Sequence, residues 1–424
     1  MSDYSFETLE TIKTEQWKLF KKQLEYISEN SPYYRTLFQK NSISIAEIES
    51  FDDLRKLPFT SKEDLQQYNS EFIAVPEDDI IDFVTTSGTL GSPVNFALND
   101  ADLDRLAENE YRSFKLAGLT KKDKVQITTT LDRRFMAGMA YYLGLRKLGA
   151  GIIRTGSGLP QLQWESIERF KPGYLIAVPS FLLKMVQYAE ENDINYKNSS
   201  VKAAICIGEP LRNQDFELNA LGRKITSLWD IELFSTYAST EMSTAFTECP
   251  EHQGNHILTD LIHTEILNEQ GEPVKPGEIG ELIVTPLKTQ TMPLLRFATG
   301  DMMTYHESKC GCGRSTPRLG SIVGRKQQKI KLKGTSIYPQ HIIEVLNSYG
   351  KIASFVIEAR LDDLGGDLVQ VIVPDTIRNT DELKKYFRSR INVSPEIKSM
   401  KLEEIAKLKF PKGSRKPQIF RDLR

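Results

Sequence analysis

The sequence predicts an α/β fold, with a large N-terminal domain built on parallel strands and a smaller α+β domain after it. Between positions 80 and 240, short apolar runs alternate with helix-like segments, a pattern typical of parallel α/β layers. Residues 262–288 instead form two β-like runs around a Gly/Pro/Glu turn, which indicates a β-hairpin and a β-rich subdomain. We therefore expect one domain over 1–324 and a second over 325–424.

Composition excludes several classes of protein. The chain has 424 residues, of which 40% are hydrophobic and 26% charged, as is ordinary for a globular protein with a large core. The formal net charge is −2, so no bulk positive field indicates nucleic-acid binding. No signal peptide and no membrane-spanning run is predicted. Four cysteines do not make a disulfide framework in so long a chain, so we expect a reducing cytoplasm.

The N-terminal segment predicts helices. Apolar residues from Trp17 to Ile27 recur at spacings of three and four, which places them on one helical face. The stretch "PFTSKEDL" predicts the start of a further helix, with Thr60 as its N-cap and Glu63 completing a capping box. If the apolar helix faces of this segment are exposed, they could support a homodimer.

The rest of the chain supplies the alternating elements. Strands are predicted in "DIIDFVTT", "DKVQITTTL", "GIIRTG", "KPGYLIAVP", "VKAAICIGEP" and "IELFSTYAST", and helices in "MAYYLGLRKLGA" and "SFLLKMVQYAEE". In the C-terminal domain, strands are predicted in "QKIKLKG", "IASFVIEAR" and "LVQVIVP", and helices in "PQHIIEVLNSYG" and "TDELKKYFRSRI".

The loop "TTSGTLGSPVNF", residues 85–96, follows the first of these strands and is a candidate anion site. Backbone N–H groups and the hydroxyls of Ser and Thr can converge on anionic oxygens, and glycine lets the backbone approach closely. An ordinary surface turn explains the same composition. The Lys of a Walker loop is missing, so any phosphate would be held here by amides and hydroxyls.

Four other polar segments carry candidate chemistry, and each has a simpler explanation. "YASTE" (237–241) sets an aromatic ring beside a carboxylate, which suits adenine and Mg²⁺ but also a helix cap. "LLRFATGD" (294–301) ends in an Asp that could accept both ribose hydroxyls, or that could form an Asx turn. "GEP" (208–210) is a strand-end turn, and Lys416 lies in a basic tail that solvation alone explains.

In this order, the segments resemble motifs of the adenylate-forming superfamily, and most closely those of the phenylacetate–coenzyme A ligase family. "TTSGTLGSPV" resembles its phosphate loop "SSGTTGKPT", "IGEP" resembles "GAEP", "STYASTE" resembles "xxYGLTE", and "PLLRFATGD" resembles "PxxRYRTGD". "CGCGRSTPRLGSIVGR", "KIKLKGTSIYPQHIIEVL" and "RKPQIFRDLR" resemble later motifs, so the resemblance covers essentially the whole chain. It departs where Ser92 replaces the loop Lys, where Ala238 and Ser239 replace Gly-Leu, and where Gln327 or Gln328 replaces the hinge Asp.

The resemblance implies an ATP-dependent acid–CoA ligase that works in two half-reactions. An aryl or arylacetic carboxylate attacks the α-phosphate of ATP to give an acyl-adenylate and pyrophosphate, and coenzyme A then displaces AMP. The C-terminal domain would be a mobile lid that rotates near Arg325 between the two steps. Two alternatives stay open. One is adenylation with transfer to an amine or a carrier-protein thiol. The other is a catalytically silent nucleotide-binding protein, which the missing loop Lys and hinge Asp leave possible.

The same resemblance implies the residues of the site. The β- and γ-phosphates would be held by Thr86, Ser87, Gly88, Thr89 and Gly91. Adenine would lie on Tyr237 beside Gly208, Glu209 and Pro210, with Ser235 and Thr236 next to it. Thr240 would bind the α-phosphate, Glu241 would hold Mg²⁺, Asp301 would hold the ribose, and Arg325 would reach the nucleotide. Lys416 would bridge the acyl carboxylate and the α-phosphate, while Lys333 and Gly334 would line the coenzyme A channel.

The acid pocket is predicted at four consecutive residues, namely Phe135, Met136, Ala137 and Gly138. The family has a pocket residue at the position of Phe135, but each of the four could equally be a core residue of the parallel sheet. Arg133 and Arg134 precede them and could face an anionic or polar acid, or simply solvent.

Two cysteine clusters predict a structural metal site. Cys249 lies in "ECPEHQGNH", and Cys310 and Cys312 form "CGCG". Thiolate and imidazole suit tetrahedral Zn²⁺, and three Cys with one His is a common structural set. His256 is the preferred fourth ligand because the family pattern "GLH" falls there, and His252 is its rival. Three free cytosolic thiols are the simpler alternative.

Overall fold

A computed structural model describes residues 4–86, 93–352, 354–362, 365–410 and 418–424. The chain divides into two compact units. The first contains Met1–Thr299 and Met303–Ser321, and the second contains Gly300–Met302 and Ile322–Arg424. The second unit therefore includes a short segment, 300–302, that lies well before its main body in the sequence.

The helices of the described residues are α1 (Leu9–Asn30), α2 (Pro32–Lys40), α3 (Lys62–Gln67), α4 (Asp100–Leu116), α5 (Met136–Leu148), α6 (Pro160–Phe170), α7 (Pro179–Glu191), α8 (Ala220–Leu228), α9 (Pro339–Tyr349), α10 (Thr380–Ile391) and α11 (Leu402–Lys409). The strands are β1 (Asp82–Thr85), β2 (Asn95–Leu98), β3 (Lys124–Ile127), β4 (Gly151–Arg154), β5 (Tyr174–Ala177), β6 (Ala203–Cys206), β7 (Glu232–Ser239), β8 (Thr244–Thr247), β9 (Asn255–His256), β10 (Ile262–Leu267), β11 (Gly280–Pro286), β12 (Phe297–Met303), β13 (Tyr305–His306), β14 (Arg318–Leu319), β15 (Gly324–Arg325), β16 (Ile330–Leu332), β17 (Thr335–Ile337), β18 (Val356–Leu361), β19 (Asp367–Pro374), β20 (Glu396–Met400) and β21 (Phe420–Asp422).

A mixed sheet in the order β13-β14-β9-β8-β7-β6-β5-β3-β4 dominates the first unit. The strands from β7 to β4 run parallel, and those from β8 to β13 are antiparallel. Every residue of β5 and β6 is buried, which explains why both read as unbroken apolar runs in the sequence. The predicted α/β class is confirmed, and β7 is the strand at which the sheet changes from parallel to antiparallel pairing.

Two further sheets follow the predictions. The hairpin expected within 262–288 is formed by β10 and β11, which pair antiparallel from Ile262↔Pro286 to Leu267↔Glu281. In the second unit, a sheet in the order β20-β19-β18-β21 packs with α9 and α10 around Ile342, Leu383 and Phe387, which are fully buried. The C-terminal part therefore has a core of its own.

The N-terminal helix is formed as predicted, but its apolar face is covered by the chain itself. Ile12, Phe20, Leu24 and Ile27 of α1 are at most 2% exposed. These residues are therefore unavailable as a dimer interface, which removes the observation on which the predicted homodimer rested. Among the described residues, none of the helices is both long and apolar enough to cross a membrane.

The predicted cap of α3 is wrong by one residue. The N-cap is Ser61, whose hydroxyl accepts from the N–H of Asp64, and Asp64 completes the capping box in place of Glu63. Thr60 is unavailable because its hydroxyl donates to the carbonyl of Leu295 at 2.6 Å and its backbone bridges to Phe297. A β-bridge therefore takes the residue that the capping pattern alone would choose.

Candidate functional site

Three of the predicted segments follow the carboxyl ends of parallel strands in the first unit. "GEP" follows β6, "STE" ends and follows β7, and the segment 128–138 follows β3. Parallel strands bring their carboxyl ends to one edge of the sheet, which is where α/β proteins bind ligands. The topology therefore gathers these candidate residues along one edge.

The turn from Thr240 to Ser243 joins β7 to β8 and carries the two residues predicted to meet the phosphates and Mg²⁺. The hairpin register pairs Ser239 with Thr244, so Thr240 and Glu241 lie at its tip and are partly exposed. The N–H of Ser243 donates to the carbonyl of Thr240 at 3.1 Å, and Ser243 has a left-handed backbone with φ 46°. Within the described residues, the Glu241 carboxylate makes no hydrogen bond or ion pair, so it is available to a cation.

The adjoining residues of β7 have mixed environments. Tyr237 stacks on its cross-strand partner Phe246 with ring centroids 5.9 Å apart, so this phenylalanine supports the ring predicted to carry adenine. Thr236 is buried, and its hydroxyl pairs with that of Thr247 at 3.2 Å. Ser235 donates its backbone N–H to the Glu248 carboxylate at 2.6 Å. The predicted contacts of these last two residues with a nucleotide stay predictions.

The "GEP" turn is tied to the start of helix α7. The Glu209 carboxylate accepts hydrogen bonds from the N–H and the hydroxyl of Ser180, both at 2.8 Å. An acidic group at a helix N-terminus is favoured by the orphan N–H groups and by the helix dipole. The Glu209 side chain thus fixes the turn, and Gly208 (φ 74°) and Pro210 lie on either side of it.

The predicted phosphate loop and the catalytic lysine fall largely outside the described residues. Ser87, Gly88, Thr89, Gly91 and Lys416 belong to the segments 87–92 and 411–417. Thr86 lies at the edge of the first of these segments and is 7% exposed. Its N–H donates to the carbonyl of Val94 at 2.9 Å, and its hydroxyl accepts from the N–H of Val94 at 3.0 Å. Thr86 therefore closes the base of the loop.

The predicted acid pocket lies at the start of α5. Phe135 is the N-cap residue and is partly exposed, while Met136 is 5% exposed and so behaves as a core residue. Gly138 lies so close to the chain that an added Cβ would come within 2.1 Å of the Thr130 carbonyl oxygen. Ala137 is partly buried against the core around β3.

The approach to this pocket carries backbone strain. Arg133 and Arg134 are two consecutive non-glycine residues in the left-handed region, with φ of 61° and 60°, and both are exposed. The Arg134 carbonyl accepts from the N–H of Thr85, which links this turn to the strand that precedes the predicted phosphate loop. Strain of this kind is common at functional sites.

In the second unit, Asp301 and Arg325 contact each other. They are opposite residues of β12 and β15, and Arg325 Nε lies 3.1 Å from Asp301 Oδ1. Asp301 is 5% exposed. Lys333 and Gly334 form the turn between β16 and β17, with φ of 50° and 84°, and both are exposed. A lysine at an exposed hairpin tip is well suited to reach an anionic ligand.

The four predicted metal ligands converge in the first unit. One ligand atom from each of Cys249, His256, Cys310 and Cys312 lies within 4.8 Å of the others. The sulfur atoms of Cys249 and Cys310 are 3.7 Å apart, and Cys312 Sγ is 3.5 Å from His256 Nε2. These separations match the edges of a tetrahedron of S and N ligands around Zn²⁺.

The surroundings of the cluster orient His256 and set the protonation of its ligand atoms. The second ring nitrogen of His256 lies 3.2 Å from the Thr316 hydroxyl, which orients the imidazole as metal-binding histidines require. Burial lowers the pKa of His256 to about 3, so the ring is held in the neutral, ligating form. Burial raises the pKa of the Cys249 thiol to about 12, so a bound cation is what would make it a thiolate. Gly311, between the last two cysteines, lies against the Glu251 side chain, and a Cβ built there would be 2.5 Å from Glu251 Oε2.

His252, the rival ligand, is engaged elsewhere. Its two ring nitrogens lie 3.1 Å and 3.2 Å from the carboxylates of Glu248 and Glu232. Glu248 is fully buried and also forms a bidentate ion pair with Arg212, at 2.7 Å and 3.0 Å. The structure therefore brings His256, and not His252, to the cysteines.

Sequence reasoning missed a buried polar face on helix α4. Asp102, Arg105, Asn109 and Arg112 recur at spacings of three, four and three, and each bonds to a segment distant in the sequence. The periodicity was a usable signal, but polar residues at helical spacing normally indicate a solvated face. The burial of Asp102, Arg105 and Asn109 shows that this face of α4 is internal.

Comparison with known proteins agrees with this geometry. The AMP-binding enzyme family matches residues 25–290. The chain belongs to the AMP-binding enzyme family. It is 29% identical over 344 residues to a phenylacetate-coenzyme A ligase of Thermus thermophilus, covering 80% of this chain and 75% of that protein. A phenylacetate-coenzyme A ligase of Escherichia coli is 27% identical over 346 residues, with 80% and 76% covered.

Solved structures share the fold. The structure of a 2-hydroxyisobutyryl-CoA ligase in the postadenylation state matches with a TM-score of 0.83 and 20% identity, covering 99% of this chain and 91% of that one. An o-succinylbenzoate coenzyme A synthetase of Bacillus subtilis, in complex with ATP and magnesium, matches with a TM-score of 0.57 and 17% identity, covering 75% and 66%. The predicted family and fold are thus confirmed.

Proposed function

We propose that this AMP-binding enzyme is an ATP-dependent acid–CoA ligase that acts through an acyl-adenylate. The observation that carries the proposal is the hairpin tip at the end of β7, where Thr240 and the available Glu241 carboxylate follow Tyr237 at the edge that also receives the "GEP" turn. The first step brings two anions together, so it needs a cation and aimed donors. Its relatives named phenylacetate-coenzyme A ligases support the same chemistry.

The residues have separate tasks in this mechanism. Glu241 would hold Mg²⁺, and the ion would neutralise phosphate charge as the carboxylate attacks. Thr240 would donate to the α-phosphate, and the Tyr237 ring would support adenine. Asp301 would accept the ribose hydroxyls, and Arg325, whose Nε lies 3.1 Å from the Asp301 carboxylate, would reach the nucleotide beside it. Cytoplasmic location is proposed from the cysteine usage.

The assignments of residues 87–91 to the β- and γ-phosphates, of Lys416 to the first half-reaction, and of Lys333 and Gly334 to coenzyme A are part of the proposal. Mutating Lys416 to Ala should abolish acyl-adenylate formation but spare thioester formation from supplied acyl-adenylate. Loss of both half-reactions, or of neither, would contradict the role given to Lys416.

Acid-dependent ATP–pyrophosphate exchange tests the activity directly. The acids assayed first are aryl and arylacetic acids. Short aliphatic and dicarboxylic acids then test whether Arg133 and Arg134 bind an anionic acid. The proposal predicts exchange with at least one acid, followed by AMP release that requires coenzyme A. Exchange without any requirement for coenzyme A would favour an amine or a carrier-protein thiol as acceptor. No exchange with any acid, on folded protein, would favour a silent nucleotide-binding protein.

We also propose that Cys249, His256, Cys310 and Cys312 hold a structural Zn²⁺. All four positions of a tetrahedron are taken by protein atoms, which is the arrangement of structural rather than catalytic zinc. The clip would tie the end of β8 to the segment that leads into β14. Protein purified without chelator should contain stoichiometric zinc by elemental analysis, and its absence would contradict the assignment.

A further inference from the structure

Helix α4 turns a polar face into the interior of the first unit. Asp102, Arg105 and Asn109 are 4%, 2% and 0% exposed. Asp102 accepts hydrogen bonds from the backbone N–H groups of Gln290 and Thr291 at 2.8 Å and 3.0 Å. This face of α4 therefore contacts the main chain of other segments instead of filling a core, and its other two members contact the β7–β8 hairpin.

Arg105 is a buried guanidinium whose hydrogen bonds, within the described residues, go to carbonyls and a hydroxyl. Nε donates to the carbonyl of Leu287 and Nη2 to that of Leu261, both at 2.5 Å. Nη1 donates to the carbonyl of Ser243, and Nη2 also reaches the Thr244 hydroxyl at 3.0 Å. Burying a guanidinium without hydrogen-bond partners costs much free energy, so the folded protein must keep these acceptors next to Arg105. Arg105 therefore fixes the two residues at which the hairpin turn ends.

Asn109 lies one helical turn after Arg105 and binds the next residue of the hairpin. Its Oδ1 accepts from the N–H of Ala245 at 2.8 Å, and its Nδ2 donates to the Ala245 carbonyl at 3.3 Å. Strand β9 pairs with β8 at Thr247. At Ala245, the Asn109 amide takes the place of a neighbouring strand and satisfies both backbone groups.

These contacts act on the part of the hairpin that leaves the proposed site. Residues 243, 244 and 245 are each bonded to α4, and the N–H of Ser243 holds the carbonyl of Thr240. Glu241 lies between Thr240 and Ser243 at the tip of the turn. Its backbone position is therefore set by anchors only two to four residues away, while its carboxylate stays available.

We propose that Arg105 and Asn109 are positioning residues of the adenylation half-reaction, which hold the β7–β8 turn so that Thr240 and Glu241 face the α-phosphate and its Mg²⁺. The inference rests on the proposed function, because it assigns these two residues to that same site. Neither residue touches the substrate, so both act through the turn. A misplacement of about 1 Å in such a group lowers the rate about 10²-fold.

A plain packing role is the competing explanation, and the same helix offers a matched control. Arg112 lies on α4 two turns after Arg105 and forms an ion pair with Asp260 at 2.6 Å. If α4 matters only for stability, Arg112→Gln and Arg105→Gln should have similar consequences. If Arg105 positions the turn, only Arg105→Gln should alter catalysis in protein that is still folded.

The experiment compares Arg105→Gln, Asn109→Ala and Arg112→Gln with the wild type. Steady-state ATP–pyrophosphate exchange gives kcat and the KM for Mg–ATP, and hydrogen–deuterium exchange of peptides covering 236–247 reports the turn itself. We expect kcat to fall about 10²-fold in the first two variants. Hydrogen–deuterium exchange of the 240–245 amides should be faster in Arg105→Gln and Asn109→Ala. In Arg112→Gln, both kcat and this amide exchange rate should stay near the wild-type values. Asn109→Ala keeps the test valid if Arg105→Gln does not fold.

Two outcomes would overturn the proposal. One is a folded Arg105→Gln or Asn109→Ala whose amide exchange over 240–245 equals that of the wild type. The other is an equal loss of kcat in Arg112→Gln. Because amide exchange does not depend on catalysis, it still decides whether α4 holds the turn if the wild type proves to have no pyrophosphate exchange. That last result would refute the proposed function separately.

Discussion

The two ends of strand β8 are held in contrasting ways. At its start, Arg105 and Asn109 bind backbone atoms and one hydroxyl, which leaves the Glu241 carboxylate without a partner in the described residues. At its end, the Glu248 carboxylate is hydrogen-bonded to Arg212 and His252, and Cys249 belongs to the Cys/His cluster. One end leaves the proposed Mg²⁺ ligand available, whereas the side chains at the other end are bonded to the rest of the fold. The following measurements test this contrast.

Loss of the proposed zinc ion should have the largest effect, because it would remove an anchor at the end of β8. Structural Zn²⁺ binds with about 10–16 kcal/mol in small peptides, and that free energy is available only to the folded state. Cys310→Ala should contain no stoichiometric zinc and should unfold at a clearly lower temperature than the wild type. Cys206→Ala is the matched control, because this buried cysteine lies outside the cluster. Equal zinc content in the two variants would contradict the clip.

Removing the buried charge at Glu248 should have the next largest effect. The variant Glu248→Gln leaves the Arg212 guanidinium, whose side chain is 9% exposed, without its charged partner. Breaking a buried pair in this way costs about 3–5 kcal/mol, measured as the free energy of unfolding in urea. Glu232→Gln, which alters the exposed partner of His252, should cost far less. Similar losses in the two variants would mean that Glu248 does not anchor this end of β8.

Changing Glu241 should affect activity and not stability, in contrast to changing Glu248. Since its carboxylate has no partner among the described residues, Glu241→Gln should leave the free energy of unfolding nearly unchanged. Loss of the Mg²⁺ ligand should lower the rate of acid-dependent pyrophosphate exchange about 10²- to 10³-fold, by analogy with a lost oxyanion donor. A stability loss as large as that of Glu248→Gln would mean that Glu241 is part of the packed interior and not of the site.

Helix α4 has a further buried titratable group, Glu110, whose replacement should give the smallest effect. Burial raises the pKa of Glu110 to about 8, and its neighbours across the contact with α5 are Tyr141 and Gly144. A raised pKa means that the folded protein favours the neutral carboxyl of Glu110. Its contribution to the free energy of unfolding is therefore complete below pH 4.5 and is lost as the pH rises towards 8. Between pH 6 and 7 the loss is at most about 1.4 kcal/mol. Glu110→Gln should lack this part of the pH dependence in urea unfolding, and an unchanged slope would contradict the assignment.

Much of this organisation was readable in the sequence. The buried strands β5 and β6 are unbroken apolar runs, and the hairpin of β10 and β11 is marked by its turn residues. Cys and His types in two clusters also predicted a metal site, because ligand chemistry restricts the residue types to very few, and the family resemblance selected His256 as the fourth residue that converges. These features depend on local patterns or on rare residue types, which a single sequence preserves.

Features that depend on tertiary contacts were not readable. Thr60 looks like a helix cap, but a bridge to Phe297 takes it, and Ser61 caps the helix instead. Arg105 and Asn109 look like a solvated helical face, and only the packing of α4 against the hairpin reveals their acceptors. Glu209 matches a nucleotide-binding motif, yet its carboxylate is used at the start of α7. In each case a distant segment decides what a polar side chain does.

A crystal structure of the protein with Mg–ATP would show whether Glu241 and Thr240 meet the triphosphate. Mg²⁺ is expected at about 2.1 Å from a carboxylate oxygen of Glu241. The α-phosphate is expected at Thr240 and the adenine on the ring of Tyr237. A triphosphate bound elsewhere, or a Mg²⁺ without Glu241 among its ligands, would contradict the proposed site.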